Sequence, residues 1–452
     1  DFMSPRTRLS AKARIVKFKY GGYNMDNIDA LASIRNGVAH ADIDSKNQLL
    51  KGLIKFDALV SKEKLEATVS CDLSKVDLYN LRIFDQPMTV GMCANVDISS
   101  DLKDYYKVQG TISDVTIDDG KLFYRPEDIV MDILTRRDTT HAIVDCGDFH
   151  LNMDAHGGYK RLIKHGTSLV AELQKQLSDK YIDQLRLRER LPLARIYLMS
   201  GKYNFFCRVL KKYGYRLDNI LMDMTSSPIT GLNGNMEIDS LVFDSLQLDT
   251  VRLNLHSTDK DITYQAQVRN NKKNPQYCFN AMIDGGIYEK GTRLITKIYD
   301  ANNKLGVGFN IAGSMEENGI KLHLFGEEPI LGYKQFHFND SNYVFFSDDH
   351  RLSADLELKA DDGTGIQMFT NDKNSEVLQD ITVSLNKFYL EKILSVLPYT
   401  PHVSGIMNGD FHVIKTKEEL SVSSSLSVDN MIYEHCPMGN VSTEFVYMPK
   451  SD

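Results

Sequence analysis

The stretch Leu65-Glu66-Ala67-Thr68-Val69-Ser70-Cys71-Asp72-Leu73 decides the fold class. Its odd positions are all apolar and its even positions all polar. Side chains of an extended chain point alternately to opposite faces, so these residues form a strand with one dry and one wet side. The pattern returns far along the chain, where Leu352, Ala354, Leu356, Leu358 and Ala360 alternate with Ser353, Asp355, Glu357 and Lys359. Shorter copies run through Phe149, Leu151 and Met153, through Ile320, Leu322 and Leu324, and through Ile381, Val383 and Leu385. A chain built from such strands makes an extended surface that is greasy on one side.

The chain has 452 residues, of which 42% are hydrophobic and 25% charged, enough for a sizeable core. A net charge of −8 argues against nucleic acid as a partner. No apolar run approaches the roughly 20 residues that span a bilayer. The sequence opens at Asp1 and stops just after the strand-like run Thr443 to Tyr447, and we read it as an internal segment of a longer protein. Six cysteines, at 71, 93, 146, 207, 278 and 436, show neither metal-ligand nor redox-motif spacing. Cys71 keeps the apolar phase of Val69 and Leu73 and reads as a small hydrophobe.

Three segments follow from the text. Residues 1–155 read as β-strands, with turn dipeptides Asn36-Gly37 and Asp119-Gly120. Residues 225–452 read likewise, with turns expected at Asn233-Gly234, Asp284-Gly285, Asn318-Gly319, Asp362-Gly363 and Asn408-Gly409. Residues 156–224 form a central helical insert. Leu162, Gly166, Leu169, Leu173 and Leu177 recur at helical spacing, and a second helix is expected over 202–213. Between them, Leu185 to Leu191 alternates leucine with charge and reads as strand-like. Residues 159–216 hold 14 Lys and Arg against 4 Asp and Glu, a local excess of +10 that leaves −18 on the rest. That excess fits a solvated helix face, the commoner case. It also fits contact with an anionic surface through Arg186, Arg188 and Arg190.

Signatures of chemistry are missing. No nucleophile elbow, P-loop, zinc-protease or kinase motif occurs. Asp300-Ala301-Asn302 opens like a calcium loop, but Leu305 stands where glycine is needed and Ile311 where the bidentate glutamate belongs. Asp348-Asp349-His350 reads as a solvated turn, and His412 lies on the polar phase of its strand. The expectation is a non-enzymatic chain with no cofactor and no metal. Its candidate site is the apolar phase itself: Leu65, Val69, Cys71 and Leu73, then Leu352, Leu356 and Leu358, then Ile381, Val383, Leu385, Phe411 and Val413. Alternation alone describes a closed core and an open groove equally well.

Blurred repetition favours an extended array. Ile229 to Ile238 and Val403 to Val413 each pass from a glycine-punctuated segment into an alternating strand. The second copy belongs to a longer phrase. Leu378-Gln379-Asp380-Ile381-Thr382-Val383-Ser384-Leu385 is followed by Leu390 to Pro398, then by Val403-Ser404-Gly405 and Gly409-Asp410-Phe411-His412-Val413. This phrase resembles the AsmA-like, TamB (translocation and assembly module) family of Gram-negative envelope proteins. The segments Met431 to Tyr433, Pro437 to Val441 and Tyr447 to Pro449, and Ser227-Pro228 to Gly234, fit the same resemblance. It implies an elongated, curved β-sheet of consecutive antiparallel strands folded as a taco or groove, its inner face apolar. It also implies a periplasmic protein anchored in the inner membrane, carrying phospholipid towards the outer membrane. Its implied partner is an outer-membrane β-barrel assembly protein, reached through a domain outside this segment. A surface β-solenoid adhesin and a polysaccharide-acting β-helix enzyme are the alternatives.

Overall fold

A computed structural model describes residues 8–20, 23–61, 63–121, 123–274, 277–371, 377–396, 400–416 and 419–448. The fold is mostly β, with 63% of residues in strands. Among the described residues the strands pair antiparallel in open sheets, and four helices accompany them: α1 (Tyr159–Ser178), α2 (Gln184–Glu189), α3 (Phe205–Lys212) and α4 (Leu390–Leu394). Leu390–Leu394 is thus helical, while the end of the expected helix–proline phrase, at 397–399, lies outside the described residues, as does Pro449.

The chain forms two compact units. The first holds residues 1–168, 190–228 and 242–244, and the second holds 169–189, 229–241 and 245–452. The expected insert, 156–224, is therefore shared between the units. It is also not wholly helical. Ala194–Ser200 is a strand, bonded on one side to Phe149–His156 and on the other to Asn219–Ser227.

In the first unit successive strands pair as hairpins from Ile28–Arg35 through Val38–Lys46, Leu50–Val60, Leu65–Asp77, Thr89–Ser100 and Tyr106–Asp118. The order continues through Ile129–Thr135, Thr139–Cys146 and Phe149–His156. Arg8–Ile15 adds to the start. The second unit repeats the scheme from Leu246–Ser257 to Cys436–Tyr447.

Of the expected turns, Asn36-Gly37, Asp119-Gly120, Asn318-Gly319 and Asp362-Gly363 fall at strand ends. Asn233-Gly234, Asp284-Gly285 and Asn408-Gly409 do not: each lies inside a strand. The apolar alternation runs straight through these dipeptides, and pairing on both sides outweighs local turn preference. Gly285 serves a neighbour instead, since a Cβ there would meet the Tyr264 ring at 2.3 Å. The true reversals come at Asp244-Ser245 and Glu289-Lys290.

Gly52 marks a register shift against Leu65–Asp77. Its φ is +144°, and a Cβ would stand 2.1 Å from the Asp72 carbonyl oxygen. Gly52→Ala is expected to cost about 1–3 kcal/mol, as strained backbone does. Gly120→Ala, at φ +81° with nothing near its Cβ, should cost only the left-handed penalty of about 1–2 kcal/mol. Urea midpoints of the two variants make the comparison, with Gly52→Ala the lower.

The helices depart from expectation on two points. Residues 184–189 are helical rather than extended, because Asp183 caps them. Its carboxylate accepts from the Arg186 amide at 3.0 Å, and its carbonyl accepts from Leu187. In α1 the buried side chains are Glu172 and Gln176, hydrogen-bonded to each other, whereas Ile163, Val170, Leu173 and Leu177 are exposed. The apolar spacing located the helix but not the side that packs.

Dense packing is confined to small clusters. In the first unit Met88, Val115 and Ile117 are buried together, with Phe84 and Phe205 of α3 against them. In the second, Phe336, Leu358 and Ala360 form the core, flanked by Leu324, Leu331, Leu356 and Ile366. The sheet is open rather than closed on itself.

Candidate functional site

Register shows what the alternation builds. Directly paired residues of antiparallel strands share a face. Ile34, Ala39, Ala58, Ala67, Ile98, Val108, Ile133, Ala142, Met153, Ile196 and Met224 are paired in turn, and Leu9 precedes them on Arg8–Ile15. That row is apolar at every strand. Two residues along, a second row places Val69 between Phe56 and Val96 and continues, by way of Gly110, through Met131, Val144, Leu151, Leu198 and Met222. A third places Cys71 between Ile54 and Ala94, and its Ile112 packs on the buried Met88 cluster. Leu65 pairs with Val60, and Leu73 faces Gly52 and Met92.

The second unit has its own apolar face. Leu356, Met368, Val383 and Phe411 form one continuous row. Leu358, Ile366 and Leu385 form the next, and Ile381 pairs with Val413. Leu352 faces Phe346. Within each unit the structure thus gathers the expected residues on one side of the sheet.

This face is half-covered. Its buried members include small residues such as Ala58, Ala67 and Ala142, and also the expected Leu73, Leu358 and Ile381, of which Leu358 belongs to the Phe336 cluster. Val69, Leu356, Val383, Leu385, Phe411 and Val413 remain partly exposed. Sequence reasoning named single strands but missed the rows, because register is set by pairing and leaves no mark in one strand.

The opposite face carries polar chemistry. His40 lies between Asp57 and Asp42, at 2.6 and 2.8 Å. His141 meets Asp154 at 2.6 Å, His150 meets Asp145 at 2.6 Å, and His412 meets Asp380 at 2.7 Å. The Asp57 and Asp42 carboxylates raise the His40 pKa above its ordinary value, and Glu328 with Asp361 does the same for His337. A raised histidine stabilises the fold fully below its unfolded pKa, and the gain is lost as pH rises through the folded value. The urea midpoint is therefore expected to fall from pH 6 to pH 8, and to fall less in a His40→Gln, His337→Gln variant.

Other candidates are structural. The Asp300 carboxylate accepts from the Asn302 and Lys304 amides and from the Tyr333 hydroxyl at 2.8 Å. Burial and that bond push Tyr333 up to about 12. Asp348 pairs with Lys180, and Asp349 with Arg351. Among the described residues no group of three His, Cys, Asp or Glu is placed to hold a metal ion.

The three arginines of the basic segment have different fates. Arg186 is exposed beside Asp183. Arg188 is buried, its guanidinium donating to the Thr258 carbonyl at 2.9 Å and the Asp259 carboxylate at 2.7 Å. It holds α2 to the second unit and offers no free charge to a surface, which corrects its expected role. Arg190 is half-buried. Arg188→Ala is expected to cost about 1–3 kcal/mol through lost buried hydrogen bonds. Arg186→Ala should stay within about 0.5 kcal/mol. Thermal melts of the two variants check this.

No family model matches the chain, and no curated protein or solved structure matches it either.

Proposed function

We propose that the two apolar sheet faces bind lipid acyl chains, and that the chain is a segment of a bridge-like phospholipid carrier. The observation behind this reading is the first two rows, which cross the first unit's strands with no polar residue and stay partly exposed. A row of that length left to water is costly, while an acyl chain laid along it gains roughly 0.8 kcal/mol per buried CH₂. Contacts of this kind have no preferred direction along the row, so cargo can slide. Headgroups stay at the ends of the strands.

The AsmA-like resemblance agrees with this reading. It would place the protein in the periplasm, tethered to the inner membrane, with an outer-membrane β-barrel protein as partner. Photo-crosslinking tests the cargo. Benzoylphenylalanine at Val69 or Val383 should capture phospholipid in cells, whereas at Thr68 or Thr382, one residue away on the other face, it should not. Equal labelling at both faces, or none, would reject the proposal.

A further inference from the structure

We infer that the first unit holds a phosphate-binding corner at one end of its apolar face, where a phospholipid headgroup docks while its acyl chain lies along the rows. The inference rests on the acyl-binding reading and adds to it a place and a chemistry for the headgroup.

The corner lies between the hairpin tip at 136–138 and the first turn of α1. It encloses a cavity of about 370 Å³ lined by Asp104, Arg136, Arg137, Asp138, Lys160 and Arg161, with Gly158 and Tyr159. Four cations face two carboxylates there. Among the described residues none of the four cations has a carboxylate within 4.0 Å. Arg136 lies over the Tyr105 ring, Lys160 donates to the Lys103 carbonyl at 3.0 Å, and Arg161 reaches His165 at 3.4 Å. Elsewhere exposed arginines do find carboxylates, as Arg14 does with Asp29 and Arg195 with Asp223. Cations without a carboxylate, gathered around one cavity, suit an anion supplied from outside. Helix α1 adds to the field, since its first turn holds no acidic residue and its positive end opens on the same corner.

The corner adjoins the apolar face through named contacts. Past Ile133 and Ala142 the next paired residues are Tyr106, Thr135 and Thr140, so the row changes from apolar to hydroxyl-bearing about 7 Å along the strand. The Thr135 hydroxyl accepts from the Tyr159 amide at 2.9 Å, and Thr140 donates to the Gly157 carbonyl at 2.8 Å. Tyr159 packs edge-on to Tyr106 at 5.3 Å. These bonds fix the start of α1 where greasy surface ends. Apolar rows, then a belt of hydroxyls and phenols, then cations: that is the order of chemistry along a phospholipid from tail to phosphate.

The test uses the full chain and two probes with the same fluorescent acyl chain, phosphatidylglycerol and diacylglycerol. The variant replaces Arg136, Arg137, Lys160 and Arg161 with glutamine, and circular dichroism checks its fold. The wild type should prefer phosphatidylglycerol, and added salt should shrink the preference. The variant should bind phosphatidylglycerol about tenfold or more weakly, with loss of charge-assisted hydrogen bonds, and diacylglycerol unchanged. Unchanged phosphatidylglycerol binding in the variant, or equal loss of both probes, would overturn the corner while leaving acyl binding intact. If the wild type binds neither probe, the acyl reading fails and the corner falls with it. Inorganic phosphate forms the last arm. Saturation of the corner by millimolar phosphate alone, without a preference between the two lipids, would make it a free-anion site and overturn the headgroup assignment.

Discussion

Val383→Glu and Val69→Glu are each expected to abolish acyl-chain binding while leaving the protein folded. Val383 stands between Met368 and Phe411, and Val69 between Phe56 and Val96, all on apolar faces. Both valines are half-exposed, so a carboxylate placed there can turn towards water and keep its charge. It would also stand in the path of the cargo, where burying it under an acyl chain costs several kcal/mol. Circular dichroism should stay near native while fluorescent phospholipid uptake is lost. Thr382→Glu is the control, on the opposite face with His412 as its paired neighbour. It should bind lipid as the wild type does. In a closed core the same glutamates would leave buried, unpaired charge at about 3–5 kcal/mol each and unfold the chain. Misfolding of both variants would therefore mean that the faces are packed interiors.

The second large effect belongs to the packed clusters. Phe336 is 1% exposed among Leu324, Leu331, Phe338 and Leu358. Phe336→Ala is expected to cost about 3–5 kcal/mol, the transfer loss plus the cavity left behind. Val383→Ala, which removes two half-exposed methyl groups, should cost about 1 kcal/mol or less. Urea unfolding monitored by circular dichroism measures both. If the two losses were equal, stability would be spread evenly over the face, contrary to the open arrangement.

How much of this was legible in the sequence depends on the range of the interaction. Strand alternation is written residue by residue, so Leu65 to Leu73 and Leu352 to Ala360 declared their faces at once. The rows were not legible, because Ala67 gives no sign that it pairs with Ala58 and Ile98. Turn dipeptides misled where pairing overrode them, as at Asn408-Gly409, which lies within Val403–Lys415. The helix at 184–189 was hidden because Leu185 and Leu187 imitate strand alternation, while its cause, the Asp183 cap, lies just before it. Arg188 looked like its exposed neighbour Arg186, and only the fold brings Asp259 to it. The corner had a faint signal, Arg136-Arg137 and Lys160-Arg161 being adjacent basic pairs, but nothing local joins a hairpin tip to a helix start.

Mass spectrometry of an organic extract of the full chain, purified without detergent, tests most directly the proposal that the faces are open to lipid. Phospholipid should be recovered with the wild type, and much less with the Val69→Glu, Val383→Glu double variant at equal protein. A wild-type extract free of lipid, from folded protein that also takes up no fluorescent phospholipid, would contradict it.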